Sequence, residues 1–250
     1  MYCTKRKIKT PLRLAHTLIR LLATRVVIGK YPGMNNTESV ADLLSFWFGD
    51  PAETQPQLLA KLQRWYQGGP ELDQEIRERY GALVEAAVNG QLDSWRSSVS
   101  GRLALLVLLD QLTRNIYRGT ARAYSGDPPA LALALDTIAN GIHRSYSLEE
   151  RLFVIMPLVH AENVEMLARA AQLSDEMVKE APAELRETWS FGAQRVRKYL
   201  RIIERFGRYP GRNAALGRRS TAAELAHLAE EAGHGSPLAA LSTAAQAART

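Results

Sequence analysis

Apolar residues recur at helical spacing along almost all of this 250-residue chain, and no run alternates apolar and polar residues strictly. Half-buried strands need a period of two and amphipathic helices a period of about 3.6. A sheet therefore has little material here, and the sequence predicts an all-α fold. Asn36 and Thr37 can cap a first helix carrying Val40, Leu43, Leu44 and Trp47, which Gly49-Asp50-Pro51 stops. Further helical patterns cover 58–66, 71–88, 103–115, 127–140, 160–179, 185–206 and 222–231. Ser147 and Thr221 each open a capping box, Asp127 reads as an N-cap before Pro128, and Gly207 closes the longest helix. Pro157 should kink or divide the helix it lies in, because it lacks an amide donor and crowds the preceding turn. A new helix is therefore expected from about His160. Short breaks between successive helices predict antiparallel neighbours in a single domain. Trp47, Leu83, Leu105, Leu106, Leu109 and Ile202 should lie in the core.

Composition narrows the class. Hydrophobic residues make up 46% of the chain and charged residues 23%, enough for a sizeable core. The single cysteine, Cys3, rules out an internal disulfide and a cysteine-rich zinc site, and it fits a reducing, cytoplasmic location. A formal charge of +6 would suit nucleic acid, but it is not spread along the chain. Residues 1–36 hold eight Lys/Arg and no Asp/Glu, while the remainder has 24 Lys/Arg against 26 Asp/Glu. The body is near neutral, so no nucleic-acid partner is expected. His16, Arg20 and Arg25 interrupt the apolar stretch 12–28, so no transmembrane segment is expected either. No small-residue cleavage site follows it, which argues against a secretory signal. The basic arm 1–36 reads as a disordered tail, as a segment making weak membrane-surface contact through residues 1–30, or as sequence upstream of a true start at Met34, the preferred reading. The helical domain is assigned to 37–232, and the Ala/Ser-rich residues 233–250 to a flexible tail.

Three polar motifs interrupt the apolar pattern. Asp110-Gln111-Leu112-Thr113-Arg114-Asn115-Ile116-Tyr117-Arg118-Gly119 extends the most apolar helix. Asp110, Arg114 and Arg118 are four apart and share a face, with Gln111 and Asn115 on an adjacent stripe. Such a cluster must find partners or line a cleft. One reading is an Asp110–Arg114 ion pair with Asn115 as a cap. The other is a cleft presenting guanidinium forks to a carboxylate or phosphate. The second motif, Arg205-Phe206-Gly207-Arg208-Tyr209-Pro210-Gly211-Arg212-Asn213, can wrap a tight backbone around three arginines. It reads as an anion nest or as a solvated basic loop. In the third, Met156-Pro157-Leu158-Val159-His160-Ala161-Glu162-Asn163, His160 and Glu162 are the candidate acid–base pair. Residues two apart on a helix do not face each other, so cooperation would require an irregular turn. The other histidines are scattered, so no metal site is expected. Phosphate-loop, dinucleotide, hydrolase-elbow and zincin motifs are absent, so no cofactor is expected.

At these motifs, together with Phe46-Trp47-Phe48-Gly49, Leu92-Asp93-x-Trp95 and Leu216-Gly217-Arg218-x-Ser220-Thr221, the chain resembles a bacterial family known as domain of unknown function 924. The resemblance runs from about Ala41 to Leu228 and implies a tetratricopeptide-like α–α superhelix. It implies no particular activity. The chain departs from it at three positions: Thr113 stands where members usually have proline, and Tyr199 and Gly211 stand where they usually have histidine. If those histidines carry chemistry in the family, this protein is altered; if the arginines and Asn115 form the site, it is intact.

Together these readings predict a helical protein with an Arg/Asn/Asp-lined cleft for a small anionic ligand, serving as a binding protein or an enzyme. Arg114, Arg118, Arg205, Arg208 and Arg212 would bind charge, Gln111 and Asn115 would orient the ligand, Asn213 would also belong to the ligand-binding set, and Asp110 would hold an arginine in place. The rival reading is a tetratricopeptide-like scaffold that takes an acidic peptide or partner protein in an open groove.

Overall fold

The computed structural model describes residues 40–233. The expectations for the basic arm, Met34, the Asn36/Thr37 cap and the tail beyond Gly233 lie outside those residues. The helices are α1 (Val40–Phe48), α2 (Gln55–Gln67), α3 (Gly69–Val88), α4 (Val99–Leu106), α5 (Thr113–Ile116), α6 (Asp127–Ala139), α7 (Leu148–His160), α8 (Val164–Glu180), α9 (Arg186–Phe206) and α10 (Ala222–Gly233). A π-helical segment, Val107–Leu112, joins α4 to α5 into one rod. No strand occurs among the described residues, and no described helix is long and apolar enough to cross a membrane.

That rod is the centre of the fold. Every residue from 103 to 113 is buried, as a helix apolar on all sides requires. Helices α1, α3, α6 and α7 pack around it. Beside them, Trp47, Phe48 and Trp65 surround the Phe153 ring edge-on at centroid distances of 5.7, 5.2 and 4.9 Å, tying α1 and α2 to α7. Helices α7, α8 and α9 stack antiparallel in turn. Arg151 near the start of α7 pairs with Glu180 at the end of α8, and Asp175 of α8 pairs with Arg197 of α9.

Local signals set the helix ends. Ser147 and Thr221 both close the expected capping boxes. Gly207 takes φ +70°, a left-handed conformation that ends α9 at little steric cost. Three expectations need correction. Helix α7 runs through Pro157 and ends at His160, because only three residues follow the proline and few backbone bonds are lost. The next helix begins at Val164, where the Asn163 side chain accepts from the Met166 amide. Asp127 lies inside α6, with Gly126 before it as the capping residue. Ile202 is half-buried, and Ile203 takes its place in the core. Trp47, Leu83, Leu105, Leu106 and Leu109 are buried as expected.

Candidate functional site

The apolar rod carries a carboxylate at its centre. Asp110 is fully buried in the π-helical segment, where widened turns often mark functional positions. Its Oδ1 lies 2.7 Å from Nδ1 of His160, at the C-terminus of α7. Oδ2 accepts from Gln111 Nε2 at 2.5 Å, and Arg114 Nη1 lies 3.4 Å from Oδ1. Burial alone would raise the Asp110 pKa. The charges of His160 and Arg114, with hydrogen bonds from His160 and Gln111, outweigh it and bring the carboxyl down to about 2. His160 shifts downward too, chiefly through burial and then through the Arg114 guanidinium, against the opposing pull of Asp110. At neutral pH this is a neutral imidazole against an ionised carboxylate. The Nδ1–H donates to Asp110, which leaves the Nε2 lone pair without a protein partner among the described residues.

A second carboxylate is placed by steric necessity. A Cβ on Gly126 would sit 2.1 Å from the Leu109 carbonyl oxygen, so only glycine lets the start of α6 lie against the π-helical segment. This contact brings Asp127 to Arg114 Nη2 at 2.8 Å and to Arg212 Nη1 at 3.4 Å. The Arg114–Asp127 contact is an ion pair by distance but lacks hydrogen-bond alignment. Burial, foremost, raises the Asp127 pKa, and the neighbouring Asp110 charge adds to it. A third carboxylate, Asp73 of α3, accepts from Asn115 Nδ2 at 2.7 Å and from Arg118 Nε and Nη2 at 2.7 and 2.9 Å.

Their partners line a cavity of about 360 Å³, within the range of small-molecule sites. Gln111, Arg114, Asn115, Arg118, His160 and Arg212 line it, joined by Arg195, Tyr199, Tyr209 and Tyr66. The rest of the lining is mainly apolar, with Leu58, Leu62 and Trp65 from α2, Leu152 and Met156 from α7, and Trp189 from α9. Tyr209 is anchored by its hydroxyl, which donates to the Val159 carbonyl at 2.5 Å, and burial raises its pKa. The Arg212 guanidinium stacks on Tyr124 and Tyr209, 4.9 and 4.7 Å from the ring centroids. Arg195 donates to the Tyr199 hydroxyl at 2.8 Å, and no carboxylate pairs with it among the described residues.

The polar motifs therefore meet only in part. The first motif, His160 and Arg212 share the cavity. Arg205 is exposed on the outside of α9, stacked on Phe206. Arg208 binds Glu224 of α10 and the Arg219 carbonyl. Asn213 is buried and donates to Ser220 Oγ. Arg208 and Asn213 hold the loop that presents Tyr209 and Arg212. Glu162 accepts from the Tyr209 amide at 2.9 Å and from Arg218 at 2.8 Å, so Asp110 and not Glu162 is the partner of His160. Among the described residues no three His, Cys, Asp or Glu side chains are grouped as metal ligands.

Residues 43–232 match the family described as bacterial protein of unknown function, DUF924. The chain is a DUF924 protein. A solved structure of a protein of unknown function from Agrobacterium tumefaciens, ATU0120, is similar to it at 31% sequence identity with a TM-score of 0.63, covering 76% of this chain and 97% of that one. No curated protein matches the sequence. The three departures from the DUF924 pattern fall in different settings. Thr113 is buried, and its hydroxyl donates to the Leu109 carbonyl at 2.6 Å. Gly211 faces open space. Tyr199 lies in the cavity and holds Arg195.

Sequence reasoning missed Asp73, Asp127, Arg195 and Tyr66. Asp73 had a signal, since it stands on the apolar stripe of α3 with Ile76, Tyr80 and Val84. Arg195 had none, because it is one of many arginines on a strongly amphipathic helix.

Proposed function

We propose that this cavity binds a small anionic molecule through its carboxylate or phosphate, and that His160 exchanges a proton with it or with a water beside it. The observation that carries the reading is Arg195, a cation on the cavity wall with no acidic partner among the described residues. Arg114, Arg118 and Arg212 are each paired with a carboxylate, so the unneutralised charge lies at Arg195. Asp110 fixes the imidazole tautomer and Nε2 is the free base, the arrangement that general acid–base catalysis uses. A scaffold that grips an acidic peptide is the rival reading. It would place binding on exposed cations such as Arg205 and not in a cavity walled by α2, α5, α7 and α9.

The test is a thermal-shift titration of the full chain with small carboxylates and phosphates at matched ionic strength. A ligand at about a hundred times its Kd should stabilise by about 2.7 kcal/mol. Arg195→Met should weaken binding by about tenfold or more, as loss of a charged hydrogen bond implies, while Arg205→Gln should leave it unchanged. Loss of binding in Arg205→Gln but not in Arg195→Met would defeat the proposal and favour the scaffold.

A further inference from the structure

The cavity is polar at one end and apolar at the other, and three helices impose this together. Lys61 of α2 pairs with Glu149 of α7, and the Tyr66 hydroxyl points at the Met156 sulfur at 3.9 Å, so α2 and α7 run in the same direction. Helix α9 follows α7 through two antiparallel steps and shares that direction, with Arg195 stacked 5.4 Å from the Tyr66 ring centroid. Along each helix the cavity residues change character in the same sense. On α2, Leu58, Leu62 and Trp65 give way to Tyr66. On α7, Leu152 and Met156 give way to His160, and on α9, Trp189 and Gly192 give way to Arg195 and Tyr199. Thr188 is polar at the apolar end, and Val159 and Val196 are apolar at the polar end. From Trp189 to Tyr199 the wall extends about 15 Å at the helical rise, so the two ends are well separated.

Charge at the polar end is nearly cancelled. Three of the four lining guanidiniums, those of Arg114, Arg118 and Arg212, face Asp110, Asp127 and Asp73, and His160 is neutral. One positive charge remains, at Arg195. A single negative charge balances it, whereas a phosphate dianion would leave an excess in a partly desolvated site.

We propose that the ligand is an amphipathic monocarboxylate, with its carboxylate at Arg195 beside Arg212 and His160 and its apolar body along Leu62, Trp65, Met156 and Trp189. This rests on the anion-binding reading above and adds the ligand's charge, shape and direction. Gly192 sits along the body, and a Cβ there would meet nothing within 4 Å, so side chains introduced at this position project into free space.

The test is calorimetric titration of the full chain with acetate, butanoate, hexanoate and octanoate below their micelle concentrations, and with octylamine. Affinity should rise by about fourfold per added methylene until the cavity is filled. Octylamine should not bind, and Arg195→Met should weaken octanoate by about tenfold or more. Gly192→Leu should weaken octanoate more than butanoate, and Gly192→Ala supplies the same comparison should the leucine variant fold poorly. Carboxylates that bind at Arg195 with no dependence on chain length would overturn this inference and leave the anion site standing. Chain-length dependence shared by octylamine and untouched by both variants would overturn it as adsorption elsewhere. If no carboxylate binds, the reading beneath it falls as well.

Discussion

Asp110 is a carboxylate inside the most apolar helix of the protein, and such a charge persists only when its partners replace water. His160, Gln111 and Arg114 do so. Removing it as Asp110→Ala should therefore lower stability by about 3–5 kcal/mol in urea unfolding, because the His160 Nδ1–H loses its acceptor and Arg114 one of its two carboxylates. Asp110→Asn keeps the shape and should cost less, but it should abolish proton exchange at His160. A second prediction concerns pH. The folded pKa of His160 lies below its ordinary 6.5, so the unfolded chain takes up this proton first as pH falls. Its contribution is therefore intact above pH 6.5 and declines below it, toward the lowered folded value. Asp110 acts only in stronger acid, between its ordinary 3.8 and about 2. His143 is also depressed by burial, so the comparison must be with His160→Gln. The variant should show a shallower loss of urea midpoint than the wild type between neutral and mildly acid pH. Parallel curves would contradict the assigned shift.

Single glycines decide how the elements meet. Gly126 lies where α6 touches the π-helical segment, and any Cβ there collides with the Leu109 carbonyl. Gly126→Ala should cost about 1–3 kcal/mol, as overpacking does, by pushing the start of α6, with Asp127, away from the π-helical segment. Gly192→Ala lies inside α9 with open space at its Cβ and should instead stabilise by about 0.5–1 kcal/mol. Equal effects in chemical denaturation would contradict this account of how α6 is seated. The helices themselves were legible in sequence, because period and caps are local. His160 was assigned to the wrong helix because Pro157 was weighted as a break, yet so close to a helix end it disrupts little. Asp127 looked like a cap, and its role as a counter-charge depends on a contact with Leu109 that no local pattern encodes.

At the scale of the molecule, the sequence showed that polar motifs interrupt a helical stack but not which of their residues face inward. Arg208, Asn213 and Glu162 shared motifs with Arg212 and His160, yet each is occupied by a neighbour that secures the loop. Asp73 of α3 reaches the site through Asn115 and Arg118, and Arg195 reaches it from α9, so their placement there is a tertiary property. Under the proposed function, anions bind at Arg195 and His160 inside the cavity and not at the exposed Arg205 of α9 or at Arg208 beyond it. The most direct measurement is a crystal structure of the protein soaked with para-bromobenzoate, with the bromine located by anomalous scattering. The carboxylate should lie within hydrogen-bond distance of Arg195 and the bromine toward Trp65 and Trp189. A carboxylate seated on Arg205 or Arg208, with the cavity empty, would contradict it.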